Sequence, residues 1–238
     1  MGRAVAKVVS ERADCAIVGG VSKKISATTE FPVVEAFSEL SAEADVIIDF
    51  SNPELIDSLL SYATAKKMPA VICTTGFNEA QIERIKAASE RIAILFSSNM
   101  SLGVNLMISL AQKAAKALYP GFDIEIVEKH HNRKIDAPSG TALMIAGAVK
   151  AALGQSLEYV YDRHLCKKAR GKNEVGIHSV RGGTMVGEHE IIFAGKDEVL
   201  RISHTAQSKE IFAEGAVNAA KFVVSKPAGL YTMADLMV

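Results

Sequence analysis

Between Asp45 and Phe96 the chain reads DVIIDFSNPELIDSLLSYATAKKMPAVICTTGFNEAQIERIKAASERIAILF, and two periods alternate along it. Asp45-Val-Ile-Ile-Asp-Phe50, Ala70-Val-Ile-Cys-Thr74 and Ile92-Ala-Ile-Leu-Phe96 are short, apolar and rich in β-branched residues. Successive apolar positions leave no polar face, so strands built from them must be covered on both sides. Stretches with helical spacing lie between them. Pro53 follows Ser51-Asn52, where a helix admits proline at its first position, and that helix should run to about Lys67. Asn78 can cap the next helix, AQIERIKAASE. Doubly covered strands separated by helices predict a parallel sheet in a doubly wound α/β layer.

Toward the N-terminus, Ala4, Val5, Val8 and Val9 form a helical stripe, and CAIVGGV (Cys15 to Val21) reads as one more strand. Beyond Asn99 the style changes. A long helix from about Val104 to Leu118 ends in Tyr-Pro-Gly, and Phe122-Asp-Ile-Glu-Ile-Val-Glu128 alternates, so one face is buried. A helix from about Ser139 to Leu153 stops at Gly154. Then EVGIHSVRGG, GEHEIIFAG and EVLRISHTA follow with Gly-rich turns and no helix between them. That predicts a second domain of α+β type with a mixed, mostly antiparallel sheet. A last helix, about Lys209 to Val224, returns to the Ala-rich style of the first.

The totals are consistent with this plan. The 238 residues suffice for one large or two modest domains, and 49% are apolar. Lys plus Arg equals Asp plus Glu at 27 each, which removes any bulk electrostatic case for nucleic acid or an anionic membrane. No apolar run approaches a bilayer span, and the start, MGRAVAKVVSERAD, reads as a charged amphipathic stretch, not a signal peptide. Cys15, Cys73 and Cys166 are far apart without CxxC spacing, which argues for free thiols and a cytoplasmic setting.

The chemistry concentrates in EKHHNRKIDAPSGTA, Glu128 to Ala142. His130 and His131 are adjacent, so on an extended backbone they face opposite ways and can do different work. Lys134 adds a cation. Ser139, Gly140 and Thr141 sit at a helix start, where amide N–H groups and the positive dipole end favour an anion. A zinc site on Glu128 and His130 lacks a third ligand at useful spacing, so no metal is expected. Two His, one Lys and a helix N-terminus predict a carboxylate-binding site with a proton donor at hand.

That string, together with VICTTGF (Val71 to Phe77), SSNMSLGVN (Ser97 to Asn105), RGGTMVGEHEIIFAG (Arg181 to Gly195), SHTAQSKEIFAEGA (Ser203 to Ala216) and KPAGLYTMADLM (Lys226 to Met237), resembles the dihydrodipicolinate reductases of bacterial lysine biosynthesis. The resemblance implies a Rossmann-type dinucleotide-binding domain over residues 1–99, completed by 208–238, and a substrate-binding and oligomerisation domain over 100–207. It implies reduction of 4-hydroxy-tetrahydrodipicolinate by NADPH or NADH, and a homotetramer formed through substrate-domain sheets. His130 is implied as proton donor or acceptor, Lys134 as proton donor, and His131, Lys134, Ser139, Gly140 and Thr141 as contacts to the substrate carboxylates. Cys73, Thr74, Thr75, Ser97, Ser98, Asn99 and Met100 correspond to segments that contact the nicotinamide side of the cofactor. The family usually has Gly where Cys73 stands, so its side chain is expected to crowd the cofactor. Ser22, Lys23 and Lys24 stand where an acidic residue binds the adenine ribose in many such domains; two cations there would suit a 2′-phosphate, against ordinary solvated lysines as the alternative.

One departure concerns the start. In this fold a central first strand leads into G-x-x-G-x-x-G. Met1-Gly2-Arg3 falls where that turn ends, with Gly2 matching its last glycine, so Met1 and Gly2 are the implied remnants of the phosphate cradle. About five buried strand residues, at roughly 1.5–3 kcal/mol each, amount to on the order of 10 kcal/mol, comparable to a typical net stability of about 5–15 kcal/mol. The expectation is an intact substrate domain beside an impaired cofactor domain. It leaves three readings: a reductase whose start lies upstream, a short and weak product serving as a binding or structural subunit, or another nicotinamide enzyme of the same architecture.

Overall fold

A computed structural model describes residues 1–23, 29–161, 163–164 and 166–237. The chain forms two compact units, Met1–Ser101 with Glu210–Val238, and Leu102–Lys209.

In the first unit, β3 (Ile47–Asp49), β4 (Ala70–Ile72), β5 (Ala93–Phe96) and β11 (Gly229–Tyr231) form an all-parallel sheet in the order β11-β5-β4-β3. The period of two sorts its residues. Ala70, Ile72 and Ile94 pack on α2 (Ile56–Lys66) and α3 (Glu79–Ser89). Val71, Cys73, Ala93 and Leu95 pack on α6 (Glu210–Val224) through Ala216, Ala219, Ala220 and Val223. Both faces are therefore dry, as the unbroken apolar runs require. The helix signals also hold. Asn52 caps the 3-10 turn that opens at Pro53, Asn78 and Gln81 form a reciprocal capping box, and Lys67 closes α2 with φ 52°.

The run Cys15–Val21 departs from its sequence reading. Only β1 (Gly20–Val21) enters a ladder, a parallel pair with β2 (Val33–Val34), and these two strands stand apart from the four-stranded sheet. Among the described residues β3 has a strand on one side only. Ile17 and Cys15 instead pack with Ile48 and Phe50 beneath α1 (Gly2–Ser10). Apolar burial is met there without main-chain pairing, which a hydropathy pattern cannot distinguish from a strand.

The second unit is a five-stranded sheet of order β10-β9-β6-β8-β7, built from β6 (Asp123–His130), β7 (Glu158–Val160), β8 (Glu174–Arg181), β9 (Gly187–Ala194) and β10 (Val199–Ala206). It is mixed: β9 is antiparallel to β6 and to β10 in the longer pair of ladders, while β8 is parallel to both β6 and β7. The reason is that β8 and β9, though consecutive, do not pair; β6 lies between them. The crossover through α5 (Gly140–Leu153) brings β7 and β8 back parallel to β6. One face is covered by α5 and α4 (Leu102–Leu118), whose Ala111, Ala115, Ala142 and Ala146 meet Ile124, Ile126, Val175, Ile177, Ile191 and Phe193 in one core. Gly154 ends α5 with φ 62°.

Gly215 shows how tightly α6 sits in the first unit. A Cβ there would lie 1.7 Å from the main-chain oxygen of Met100, which has no freedom to swing away. Gly215→Ala is expected to cost about 3 kcal/mol, hence roughly 6–12 °C in Tm for a chain of this size; a calorimetric scan showing no loss would contradict the packing described.

Candidate functional site

Along one line across the second sheet the buried face changes from apolar to polar. On β6 the period of two puts Ile124, Ile126, Glu128 and His130 on one side, all buried. Their neighbours on β8 are Val175, Ile177, Ser179 and Arg181, and on β9 Phe193, Ile191 and His189, with Gly187 next in the same alternation. Three adjacent strands thus end their core-facing rows in Glu128, His130, Ser179, Arg181 and His189.

Glu128 is 0% exposed, yet charged. Burial alone would hold its proton on, but the Arg181 guanidinium, the Ser179 hydroxyl and His130 outweigh it and bring its pKa down to about 2. Arg181 donates to both oxygens, Nη2 to Oε1 at 2.7 Å and Nη1 to Oε2 at 2.8 Å. The Ser139 main-chain N–H donates to Oε1 at 3.1 Å, and His130 Nδ1 lies 2.5 Å from Oε2. A carboxylate has about four acceptor positions, and these donors, with the Ser179 hydroxyl, fill them.

Ser139 caps α5 as its sequence position predicts, accepting from the Ala142 N–H. It is also 2% exposed, and its hydroxyl lies 2.8 Å from His189 Nε2. The Ser139 N–H at this helix start is thus bonded to an internal carboxylate, Glu128. Gly140 is exposed and Thr141 half-buried in the first turn. His189 has its pKa lowered to about 4 by burial and then by His130, so it is neutral at pH 7. Burial likewise holds His130 below the ordinary histidine value against the opposing pull of Glu128. The two rings meet edge to face at 5.2 Å.

His131 lies beyond the end of β6, and its buried Nδ1 has no hydrogen-bond partner among the described residues. Lys134 is in the same loop, with Nζ 2.9 Å from the exposed carboxylate of Asp136. Glu128, Arg181 and His189 were not singled out as site residues in the sequence. Glu128 carried a usable signal, since a Glu in phase with Ile124 and Ile126 must be buried and paired. Arg181 and His189 are too distant in sequence to connect to the loop by spacing.

In the first unit the expected cofactor-side residues sit at the carboxyl ends of β4 and β5. Thr74 is 4% exposed with a hydroxyl that has no hydrogen-bond partner among the described residues, and Thr75 is exposed. The Ser97 hydroxyl donates to the Asn99 carbonyl, Ser98 is exposed, and Asn99 is buried with its side chain accepting from Ser101 N–H. Met100 and Cys73 side chains are in the core on the α6 side. The sulfur expected to crowd a cofactor is thus absorbed by packing. Met1 is the N-cap of α1 without a side-chain hydrogen bond, and Gly2 is its first residue. Lys23 is exposed; Lys24 lies outside the described residues.

The Glu128 pairing predicts a pH signature. A carboxylate whose folded pKa is depressed stabilises the fold above its unfolded value of about 4.5, and that contribution fades as pH falls toward about 2. Arg181→Leu removes both guanidinium donors from a buried carboxylate and should cost about 3–5 kcal/mol at pH 7. The deficit should narrow as pH falls from 7 toward about 2, where Glu128 is protonated in the parent chain as well. Urea midpoints across this range read it directly, and a deficit independent of pH would contradict the assignment.

With this geometry in hand, the comparisons are specific. Residues 1–100 match the family description "Dihydrodipicolinate reductase, N-terminus" and residues 103–237 match "Dihydrodipicolinate reductase, C-terminus". The 4-hydroxy-tetrahydrodipicolinate reductase of Caldanaerobacter subterraneus subsp. tengcongensis is 53% identical over 237 residues, covering 100% of this chain and 94% of that protein. That of Clostridium tetani is 47% identical, covering 98% and 91%. A dipicolinate-bound dihydrodipicolinate reductase from Paenisporosarcina sp. TG-14 shares the fold at a TM-score of 0.82 and 24% identity, covering 97% of this chain and 92% of that one. The chain belongs to the dihydrodipicolinate reductase family.

Proposed function

We infer that this chain is a 4-hydroxy-tetrahydrodipicolinate reductase of lysine and diaminopimelate biosynthesis: substrate, NAD(P)H and a proton give tetrahydrodipicolinate, NAD(P)⁺ and water. The observation that carries the reading is the Glu128–Arg181–His130 constellation beside Lys134, set in a chain with full-length relatives of that activity.

The residues present fit a nicotinamide cofactor. Thr74 supplies a buried hydroxyl with no partner of its own, and Thr75, Ser97, Ser98 and Asn99 lie with it at the carboxyl ends of parallel strands, where such sheets bind ligands. Bound there, the cofactor supplies the hydride. Met1 and Gly2, at the start of α1, are the candidate phosphate contacts, and Lys23 with Lys24 favours a 2′-phosphate.

The substrate is a dicarboxylate. His131, with its unpartnered Nδ1, and the ammonium of Lys134 are the candidate carboxylate contacts, with the exposed first turn of α5 at Gly140 and Thr141. Ser139 takes part by setting that turn. Lys134 is the candidate donor of the one proton consumed with the hydride, and His130 is the candidate proton donor or acceptor. The first unit serves as the dinucleotide-binding domain and the second as the substrate and oligomerisation domain. A homotetramer is supported by the uncovered face of the second sheet, where Val180 and Val199 are 43% and 48% exposed. Three free thiols suit a cytoplasmic setting.

His130→Gln and Lys134→Ala should each lower kcat by about 100-fold or more, with the fold retained by circular dichroism. Unchanged turnover in both would overturn these roles. Thr74→Val, which keeps the shape and removes the hydroxyl, should weaken NAD(P)H binding by roughly 5–30-fold, the effect of losing one hydrogen bond at about 1–2 kcal/mol. Fluorescence titration of the nicotinamide measures it.

A further inference from the structure

Glu128 is buried too deeply to meet a substrate. Keeping a charge there is costly unless it is paired and hydrogen-bonded. Its donors come from separate places: Arg181 and Ser179 on β8, the Ser139 amide at the start of α5, and His130 two residues along its own strand.

We propose that Glu128 is the positioning residue of the site, holding His130 as the Nδ1–H tautomer so that Nε2 is the proton-accepting atom. This rests on the proton-handling role given to His130 above. A carboxylate can only accept, so the nitrogen 2.5 Å from Oε2 must be the one that carries hydrogen. In a neutral ring the other nitrogen then has the lone pair. The ring is oriented as well as polarised, because Nε2 lies over Gly187, where a Cβ would come within 3.0 Å of it. The charged and titratable groups around the ring are Glu128 on β6, Arg181 on β8, His189 on β9 and Lys134 in the following loop. Of these, Glu128 alone can accept from Nδ1–H. His130 therefore enters the reaction as an acceptor, and the resting donor is Lys134.

Glu128→Gln tests this. An amide NH2 placed at Oε1 would face both Ser139 N–H and Arg181, whereas at Oε2 it faces one Arg181 donor and His130. The amide should settle the second way and donate to Nδ1, which forces the hydrogen to Nε2. Nitrogen-15 spectra of the histidine rings, with His130 assigned by its loss in His130→Gln, should show Nδ1–H in the parent chain and Nε2–H in Glu128→Gln. Turnover should fall roughly tenfold or more in kcat, with KM changing less than about threefold, as when an orienting carboxylate becomes an amide. In a His130→Gln background Glu128→Gln should cause no further loss, which a merely structural role would not produce.

An Nε2–H ring in the parent chain overturns the proposal, and it does so even where Glu128→Gln fails to fold. A kcat within threefold of the parent in Glu128→Gln, with His130→Gln impaired, overturns it too and leaves the role of His130 standing. Full turnover in His130→Gln removes the catalytic reading instead, and the ring spectrum of the parent then decides the pairing alone.

Discussion

The second unit is organised around one buried charge. Glu128 has no access to solvent, and an isolated carboxylate at such a place would take up a proton instead of staying ionised. Two parallel N–H bonds from Arg181, one from the start of α5 and one from His130 reverse that preference. The condition is geometric. Arg181 reaches Glu128 only because β8 is in register with β6, with Ser179 opposite Glu128 and Arg181 opposite His130. The Ser139 amide reaches it only because α5 begins where it does. Moving either element by one residue would bury a charge without its partners, at a cost of several kcal/mol. The same bonds that ionise Glu128 thus fix the strand register, the helix start and the ring that does the chemistry.

Much of the first unit was legible because its signals are local. The doubly covered strands, the Asn52–Pro53 and Asn78 helix starts and the apolar phases of β4 and β5 all follow from residues within one turn or one period. Burial was legible and pairing was not. Cys15 to Val21 is apolar enough for a strand, yet pairing requires a neighbour with free main-chain groups, and only Gly20–Val21 finds one. At Cys73, where glycine is usual, the alternation of β4 puts the side chain on the α6 side of the core, a placement that follows from phase and not from residue type.

In the site, the loop from Glu128 to Thr141 was legible as chemistry and its supports were not. His130 and Lys134 are reactive types in a short, unusual string. Arg181 and His189 are ordinary in their own neighbourhoods and acquire meaning only when β8 and β9 are laid on either side of β6. Ser139 shows the limit most clearly. The residue type correctly marks a helix cap, but nothing local says that its amide is already committed to an internal carboxylate.

The parallel part of the second sheet is also the part that makes the site. In an antiparallel meander each strand turns back through a short hairpin, and no helix starts at its end. A parallel connection must cross over, so the chain leaves the carboxyl end of β6, enters α5 there and returns as β7 and β8. That places the positive end of a helix and the last residues of two parallel strands together, the same arrangement that gathers Thr74 and Asn99 at the ends of β4 and β5 in the first unit. The antiparallel partner β9 adds what a parallel strand in that place would not: its N-terminal residues, Gly187 and His189, run in from the opposite direction to meet His130 and Ser139. A fully antiparallel sheet would lack the helix start, and a fully parallel one would lack the incoming histidine. The mixture of parallel and antiparallel pairing in the second unit is therefore a requirement of the site, imposed by the need to surround one carboxylate with donors from several directions.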